Sequence, residues 1–320
     1  MLSMISLPIL DIPANMLVMF LALLLDLAIG EPPNRFHPTV WIGKTIAGLE
    51  KLSPKTSTGQ LLYGVLMVVL VPSAWATAVY LVVVGLNNVH PLAYVLVGAV
   101  LLKTTFAVRM LHQAAANIRS LLIQGDLAGV RAGMSALVSR DPSSITAEQA
   151  TAATVESVSE NLTDSFVGPL LAFAMFGLPG AVAYRTINTL DSMIGYHGRY
   201  EYLGKASARV DDFINLIPAR LTAMLLVTSS LVLPGQKISS AWRIMWRDHA
   251  RTESPNAGWT MSGMAGALGI TLEKVGYYRL GDQTRAIEPQ DITRAIQSMY
   301  LVAAEASLLA VGIIFLIAYF

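Results

Sequence analysis

The sequence predicts an all-α protein, a polytopic integral membrane helical bundle with four to six membrane segments and a cytoplasm-facing helical polar region. Three observations carry that prediction. Hydrophobic residues make up 54% of the 320 positions and the mean hydropathy is +0.56, a balance that a soluble domain does not show. Several apolar runs reach the roughly 20 residues that a helix needs to cross a bilayer core. The polar stretches between them keep helical spacing, with no strand-rich block, low-complexity tract or short repeat. The chain therefore reads as one integral membrane domain, 1–320, with N-terminal spans (1–111), a polar helical region containing two broken or re-entrant helices (112–295) and a C-terminal span (296–320).

The elements follow in chain order. The first span is expected at 13–30, PANMLVMFLALLLDLAIG. The second, at 60–86, contains Pro72, and the third, at 91–111, starts at Pro91 after the short loop NNVH. Residues 109–125 and 126–139 read as two amphipathic pieces separated near Gly125-Asp126, and Asp141-Pro142 marks a turn. Thr146 with Gln149 three residues later forms a capping box that starts the next helix. The run 166–183 is short and broken by Gly168-Pro169 and by Gly177-Leu178-Pro179-Gly180. The run 214–233 contains Pro218 and Arg220, and a charge near a helix centre costs about 2.5–3.5 kcal/mol on insertion scales. Residues 252–290 are the least regular, and 296–320 forms the last span.

Loop charges suggest an orientation. Residues 1–12 hold Asp11 and no Lys or Arg, whereas 31–59 and 234–295 are basic, which places the N-terminus outside and the basic loops in the cytoplasm. Segment 184–213 carries Arg185, Arg199, Lys205 and Arg209, so it is expected inside as well, with the two broken runs folded back rather than fully crossing. The N-terminus lacks a basic n-region and a cleavage site, so no removable signal peptide is expected. A net charge of +1 gives no electrostatic case for nucleic acid. The absence of cysteine excludes disulfides, thiolate nucleophiles and cysteine metal sites, and the five histidines lack zinc spacing. There is no Walker A loop and no dinucleotide-binding glycine motif.

Five constellations could carry chemistry. In VESVSENLTDSF (155–166), Glu156, Glu160 and Asp164 recur at four-residue spacing, so a helix lines them along one face beside Asn161. Like charges so placed repel, and no Lys or Arg sits at helix-neighbour spacing to relieve them. Hard oxygen donors suit Mg²⁺, which binds through one or two carboxylates plus substrate phosphates; the plain alternative is a solvated face. Asn188 and Asp191 share a face, as do Asp212 and Asn215, with Arg209 and Arg220 bracketing the latter pair. Charged groups near a membrane are paired or functional, so these arginines either neutralise aspartates or hold a ligand. Near the N-terminus, Asp26, Glu31, Arg35 and His37 follow the first span among prolines; a lone histidine there is more often structural than a ligand. Finally SPNAGWTMSGMAGALG (254–269), which includes Asn256, has small residues that admit either a ligand or a neighbouring helix. The residues alone fit a metal-phosphate enzyme and equally a transporter with broken helices at a midplane site.

Four stretches together resemble the CbiB/CobD family of cobalamin-biosynthesis proteins: LLLDLAIGEPPNRFHPTVWIGK, VSRDPSSITAEQATAATVESVSENLTDSF, AYRTINTLDSMIGYHGRYEYLGKASARVDDFINLIPARL and SPNAGWTMSGMAGALGITLE. They follow the family order and cover most of the chain. One departure is Glu31, where aspartate is commoner; the carboxylate is kept and its reach lengthened. The resemblance implies a membrane-bound adenosylcobinamide-phosphate synthase. Such an enzyme joins the remaining propionate of adenosylcobyric acid to (R)-1-amino-2-propanol O-phosphate, or to ethanolamine phosphate, with cleavage of ATP to ADP and phosphate. In that setting Glu156, Glu160 and Asp164 are the expected Mg²⁺ ligands. Glu156, Glu160, Asp191 and Asp212 are the expected catalytic carboxylates, and Arg35, His37, Arg185, Asn188, Arg209, Asn215, Arg220 and Asn256 the expected substrate- and phosphate-binding set. The implied partners are the corrinoid, the amino-alcohol phosphate, ATP, the lipid bilayer, and either further copies of the chain or other corrinoid enzymes. The implied location is the cell membrane, multi-pass, with the active site facing the cytoplasm. Two other readings are a corrinoid or organic-anion transporter and a scaffold subunit for corrinoid enzymes.

Overall fold

Helix boundaries in this chain are set by residues that satisfy or forbid terminal backbone bonds. His37 caps α2 (Pro38–Glu50) by accepting the Thr39 N–H at Nδ1, and His90 does the same for α4 (Pro91–Lys103) through the Leu92 N–H; both helices start on proline, which lacks the N–H that would go unused. Thr146 and Gln149 complete the expected capping box of α7 (Ala147–Leu162). The computed structural model describes residues 12–134, 143–196 and 198–319. The expected turn at Asp141-Pro142 and residue His197 lie outside them, as does the end of the 126–139 piece.

The described chain is helical apart from one small hairpin, β1 (Leu272–Lys274) antiparallel to β2 (Tyr278–Leu280). Besides the helices above, it contains α1 (Ile12–Ala28), α3 (Ser57–Val89), α5 (Val108–Gln124), α6 (Leu127–Met134), α8 (Gly168–Ile194), α9 (Lys205–Ile214), α10 (Leu216–Ser229), α11 (Ile238–Asp248), α12 (Ala257–Leu268) and α13 (Gln290–Tyr319). Gly125 separates α5 from α6 as expected, and Asp126 caps the latter by accepting the Gly129 N–H. Among the described residues, four helical stretches are long and apolar enough to cross a membrane: Ser57–Val89, Pro91–Gln124, Ala147–Ile194 and Gln290–Ile317. α1 and α10 are shorter apolar helices. Along α3 the exposed positions include Leu62, Val65, Leu66, Val69 and Leu70, an apolar face that suits lipid rather than water. The chain is a multi-pass, all-α membrane protein.

Two local expectations need correction. The run 166–183 is not short: it belongs to a 48-residue helical path, Ala147–Ile194. Its glycine–proline pairs produce one kink, at Gly177 (φ 65°, ψ −161°), a backbone geometry open to glycine alone. The region 252–290 is more regular than its glycines suggested, because 257–268 folds as α12. All of Gly258–Leu268 is buried, and a Cβ on Gly266 would stand 2.6 Å from Ser240 O and 2.9 Å from Ala241 Cα. The small residues there serve close helix packing.

The chain divides into two compact units. The first comprises Met1–Ala107, Gly168–Ile214 and Ser307–Phe320. In it α1 packs on α4, while α8 packs on α2, α3 and α9, around a core that includes Ile42, Ile46, Met67, Val71, Leu190 and Leu203. The second comprises Val108–Val167 and Asn215–Ala306. It is built around α12, which packs against α7, α10 and α11.

Candidate functional site

In the second unit the arginine that interrupts α10 is held in an unusual way. Arg220 Nη1 donates to Leu216 O (2.9 Å) and to Asn256 Oδ1 (3.1 Å), and the guanidinium lies 5.0 Å from the centre of the Trp259 ring. Among the described residues no carboxylate lies within ion-pair distance of Arg220, and its Nε and Nη2 make no hydrogen bond. Asn256 is the residue before α12 and is buried, but its side chain does not cap the helix. Ser254 Oγ instead accepts the Asn256 and Ala257 N–H groups (3.2 and 3.4 Å), which leaves the Asn256 carbonyl oxygen for Arg220. Trp259 is 7% exposed and its indole N–H has no hydrogen-bond partner among the described residues. His249 lies 4.0 Å from it, tilted, and Trp246 meets it edge-on at 5.0 Å. The geometry thus joins two residues of the expected binding set, Arg220 and Asn256, and leaves a positive charge in an apolar helix balanced by an amide oxygen and a ring face. That charge invites an anion.

The acid row lies on the helix that packs beside it. Glu156 is buried, Glu160 one turn later reaches the protein surface, and Glu156 and Lys274 lie within charge-interaction range of Glu160. Lys274 reaches α7 from β1, whose contact with that helix closes a separation of more than one hundred residues. Asp164 departs from the row because Thr163–Val167 is a π-helical turn, whose wider winding rotates it relative to the α-helical positions before it. Among the described residues no three acidic or histidine side chains gather into a metal-binding group. Asn161 donates to Ser157 O (2.9 Å). The π turn packs on α10, and both α7 and α10 pack on α12, so the end of the acid row and the Arg220 helix share one neighbourhood of this unit.

The expected pairing of Asp212 with Asn215 on one helix face fails. α9 ends at Ile214 and α10 begins at Leu216, because Pro218 fits only the first turn of a new helix. Asn215 is the buried junction residue. In the first unit Asp212 lies within charge range of Asp191, Arg185 Nη1 donates to Asn188 Oδ1 (3.3 Å), and Arg209 is exposed.

The N-terminal constellation also belongs to the first unit and is a buried charge network. Lys103 Nζ lies 2.9 Å from Asp26 Oδ1 and 2.6 Å from Glu31 Oε1, and His37 Nε2 lies 2.9 Å from Glu31 Oε2. Because His37 Nδ1 accepts a backbone N–H, the proton is on Nε2, which donates to Glu31. His37 is thus a helix cap that orients a carboxylate. Burial pushes the Glu31 carboxyl up, but hydrogen bonds from His37 and Lys103 and the lysine charge outweigh it and hold the group below the usual range. Arg35 is exposed and stacks on Phe36 at 4.6 Å. Lys103 was missed in the sequence, although a lone lysine in an apolar run raises the same question as Arg220. Also missed was the buried Asp248, bonded to Arg247 at 2.7 Å and to the Gly281 N–H at 2.8 Å.

Residues 19–299 match the family described as CobD/Cbib protein. The cobalamin biosynthesis protein CobD of Dehalococcoides mccartyi (strain CBDB1) is 44% identical over 301 residues, covering 94% of this chain and 97% of that protein. A probable cobalamin biosynthesis protein CobD of Methanothermobacter thermautotrophicus is 36% identical over 301 residues, covering 94% and 98%. The cobalamin biosynthesis protein CobD of Geobacter metallireducens is 40% identical over 292 residues, covering 88% and 92%. No solved structure matches.

Proposed function

The chain belongs to the CobD/CbiB family, and from that premise we propose that it is the ATP-dependent ligase that makes adenosylcobinamide phosphate in cobalamin biosynthesis. The acid is adenosylcobyric acid and the amine is (R)-1-amino-2-propanol O-phosphate or ethanolamine phosphate. The observation that carries the phosphate chemistry is Arg220, a cation in an apolar helix with no carboxylate partner among the described residues, set against Asn256 and Trp259.

The reaction needs two displacements. A propionate oxygen of the corrinoid attacks the γ-phosphorus of ATP, the bond to the β–γ bridging oxygen breaks, and ADP leaves. The amine nitrogen then attacks the resulting acyl phosphate, phosphate leaves with that propionate oxygen, and the nitrogen loses a proton to give the amide. Phosphoryl transfer depends on positioning and on stabilising charge at the phosphate oxygens. Arg220 supplies fixed donors for a phosphate group, and Asn256 holds the guanidinium in place through Nη1 so that Nε and Nη2 face the ligand. Trp259 keeps one face of the guanidinium dry, which strengthens its interaction with an anion.

The implied Mg²⁺ fits the donor set of α7. Glu156 and Glu160 offer two carboxylates one helical turn apart, the second at the protein surface, and one or two protein carboxylates are what a Mg²⁺–phosphate site uses. Bound there, the ion would neutralise charge on the phosphates of ATP. Glu156 is the buried end of this pair and orients it, whereas Lys274 moderates its negative charge. Because ATP is cytoplasmic, this face of the protein is proposed to lie inside the cell.

The test is purified full-length protein in detergent with Mg-ATP, adenosylcobyric acid and each phospho-amine. The expected result is a product of the mass of adenosylcobinamide phosphate, formed with ADP. ATP-independent movement of corrinoid into vesicles, with no amide formed, would support the transporter reading instead.

A further inference from the structure

The Trp259 ring that meets the Arg220 guanidinium also carries an imidazole, that of His249. His249 opens the short 3-10 turn His249–Arg251 between α11 and α12, and its neighbours fix its place. The buried Asp248 before it accepts the Gly281 N–H (2.8 Å) and pairs with Arg247 (2.7 Å). A Cβ on Gly258 would stand 2.1 Å from His249 O, so glycine is what lets the start of α12 come this close to the turn. The imidazole lies 4.0 Å from the Trp259 ring centre and 5.9 Å from that of Trp246.

One hydrogen bond fixes the protons of that ring. Nδ1 donates to Trp246 O (3.1 Å), because a carbonyl oxygen can only accept. The neutral ring therefore keeps its lone pair on Nε2, which has no hydrogen-bond partner among the described residues. His249 is partly exposed, so a proton gained there has a path to water. Around Trp259 the described residues thus offer the Nε and Nη2 donors of Arg220, a buried indole N–H with no acceptor, and the Nε2 lone pair of His249. Donors for oxygen beside an acceptor for an N–H match a molecule with an anion at one end and an amine at the other.

We propose that Arg220, Trp259 and His249 form the subsite for the amino-alcohol phosphate, with the phosphate on Arg220 and the amine at His249 Nε2, which takes the amine proton. The inference rests on the ligase reading and deepens it. A single phosphomonoester suits one guanidinium, whereas the triphosphate of ATP belongs with the Mg²⁺ proposed at Glu156 and Glu160. The reach agrees. The guanidinium carbon lies 5.0 Å and the imidazole centre 4.0 Å from the same ring centre, so they are no further apart than those two distances together. The four bonds from phosphorus to nitrogen span about 5 Å, and a hydrogen bond of about 2.9 Å at each end covers the rest. The amine enters as the free base, its ammonium proton having gone to water. Its nitrogen attacks the acyl carbon, the bond from that carbon to the phosphate oxygen breaks, and phosphate leaves. The surplus proton on nitrogen passes to Nε2, and the imidazolium returns it to water.

Full-length protein in detergent is titrated calorimetrically with (R)-1-amino-2-propanol O-phosphate and, separately, with Mg-ATP; amide formation is then followed at saturating substrates. Arg220→Met should weaken the phospho-amine about a hundredfold and Mg-ATP less than about twofold. His249→Gln stays polar but cannot carry the proton, so it should bind the phospho-amine within about threefold of wild type and form amide about a hundredfold more slowly. His249→Phe keeps a ring on Trp259 and should show the same split if the glutamine variant melts early. Hydroxylamine, which attacks acyl phosphates without a base, should give hydroxamate in both His249 variants within about threefold of the wild-type rate. Mg-ATP weakened as much as the phospho-amine by Arg220→Met would overturn the subsite, and a wild-type amide rate in His249→Gln would overturn the base; neither would touch the ligase reading. Wild-type protein that binds the phospho-amine through Arg220 yet forms neither amide nor hydroxamate would instead sink the ligase reading and keep the binding site.

Discussion

Replacing Arg220 by methionine separates two roles that the sequence left open, neutralising Asp212 or binding a ligand phosphate. In the structure the guanidinium makes two Nη1 hydrogen bonds and one ring contact, and meets no carboxylate among the described residues. The substitution loses a charged hydrogen bond to Asn256, about 1.5–3 kcal/mol. It also removes a charge from an apolar helix, where such a charge costs about 2.5–3.5 kcal/mol. These terms oppose each other, so Arg220→Met should fold, with a stability change within about 2 kcal/mol. Binding should change much more. Losing two charge-assisted bonds to a phosphate, even at the lower end of about 1.5 kcal/mol each, removes about 3 kcal/mol, or roughly a hundredfold in affinity. Lysine has one ammonium in place of the fork, so Arg220→Lys should recover about tenfold of that. The assay is calorimetric titration of folded, detergent-purified variants with Mg-ATP and with each phospho-amine, after thermal melting confirms the fold. An Arg220→Met/Asp212→Asn double variant should show additive stability changes with no rescue. Unchanged affinity for both phosphorylated substrates in stably folded Arg220→Met protein would refute the reasoning.

Three further predictions follow from other parts of the molecule. Glu160→Gln keeps shape but removes charge from the proposed Mg²⁺ pair, so ATP-dependent amidation should fall about a hundredfold with melting unchanged, and full activity would exclude the metal role. The depressed Glu31 carboxyl contributes stability above its unfolded value of about 4.3 and loses it as pH falls through the lower folded value. Thermal melts of wild type below about pH 4 should therefore drop more steeply than those of Glu31→Gln, and parallel curves would contradict the network. For topology, the cysteine-free chain takes single cysteines at the exposed positions Lys205 and Tyr277, and both should react only from the cytoplasmic side. Labelling of position 205 in intact cells by an impermeant reagent would reverse the proposed orientation.

Much of this architecture is legible in the sequence, because lipid-crossing helices and caps are local signals. The spans at α3, α4 and α13, the break at Gly125 and the capping box of α7 each rest on a few neighbouring residues. Arg220 was visible as a misfit, a charge in an apolar run, and Asn256 as part of the small-residue stretch 254–269. Their meeting was not, because 36 positions separate them and only the packing of α10 on α12 closes the gap. Lys274 beside Glu160 and Lys103 beside Asp26 were hidden for the same reason. The π turn at Thr163–Val167 escaped a reading based on uniform 3.6-residue spacing, which kept Asp164 in the row. α12 looked irregular because its glycines lower helix propensity, and burial on several sides overrides that.

The central claim is that ATP activates the corrinoid carboxylate as an acyl phosphate. Adenosylcobyric acid labelled with ¹⁸O in its free carboxylate tests it directly, with the purified protein, Mg-ATP and a phospho-amine. The account predicts that one ¹⁸O atom per amide formed appears in inorganic phosphate, measured by mass, with ADP in equal amount. Amide formed with all released ¹⁸O in water or in AMP, and none in inorganic phosphate, would contradict it.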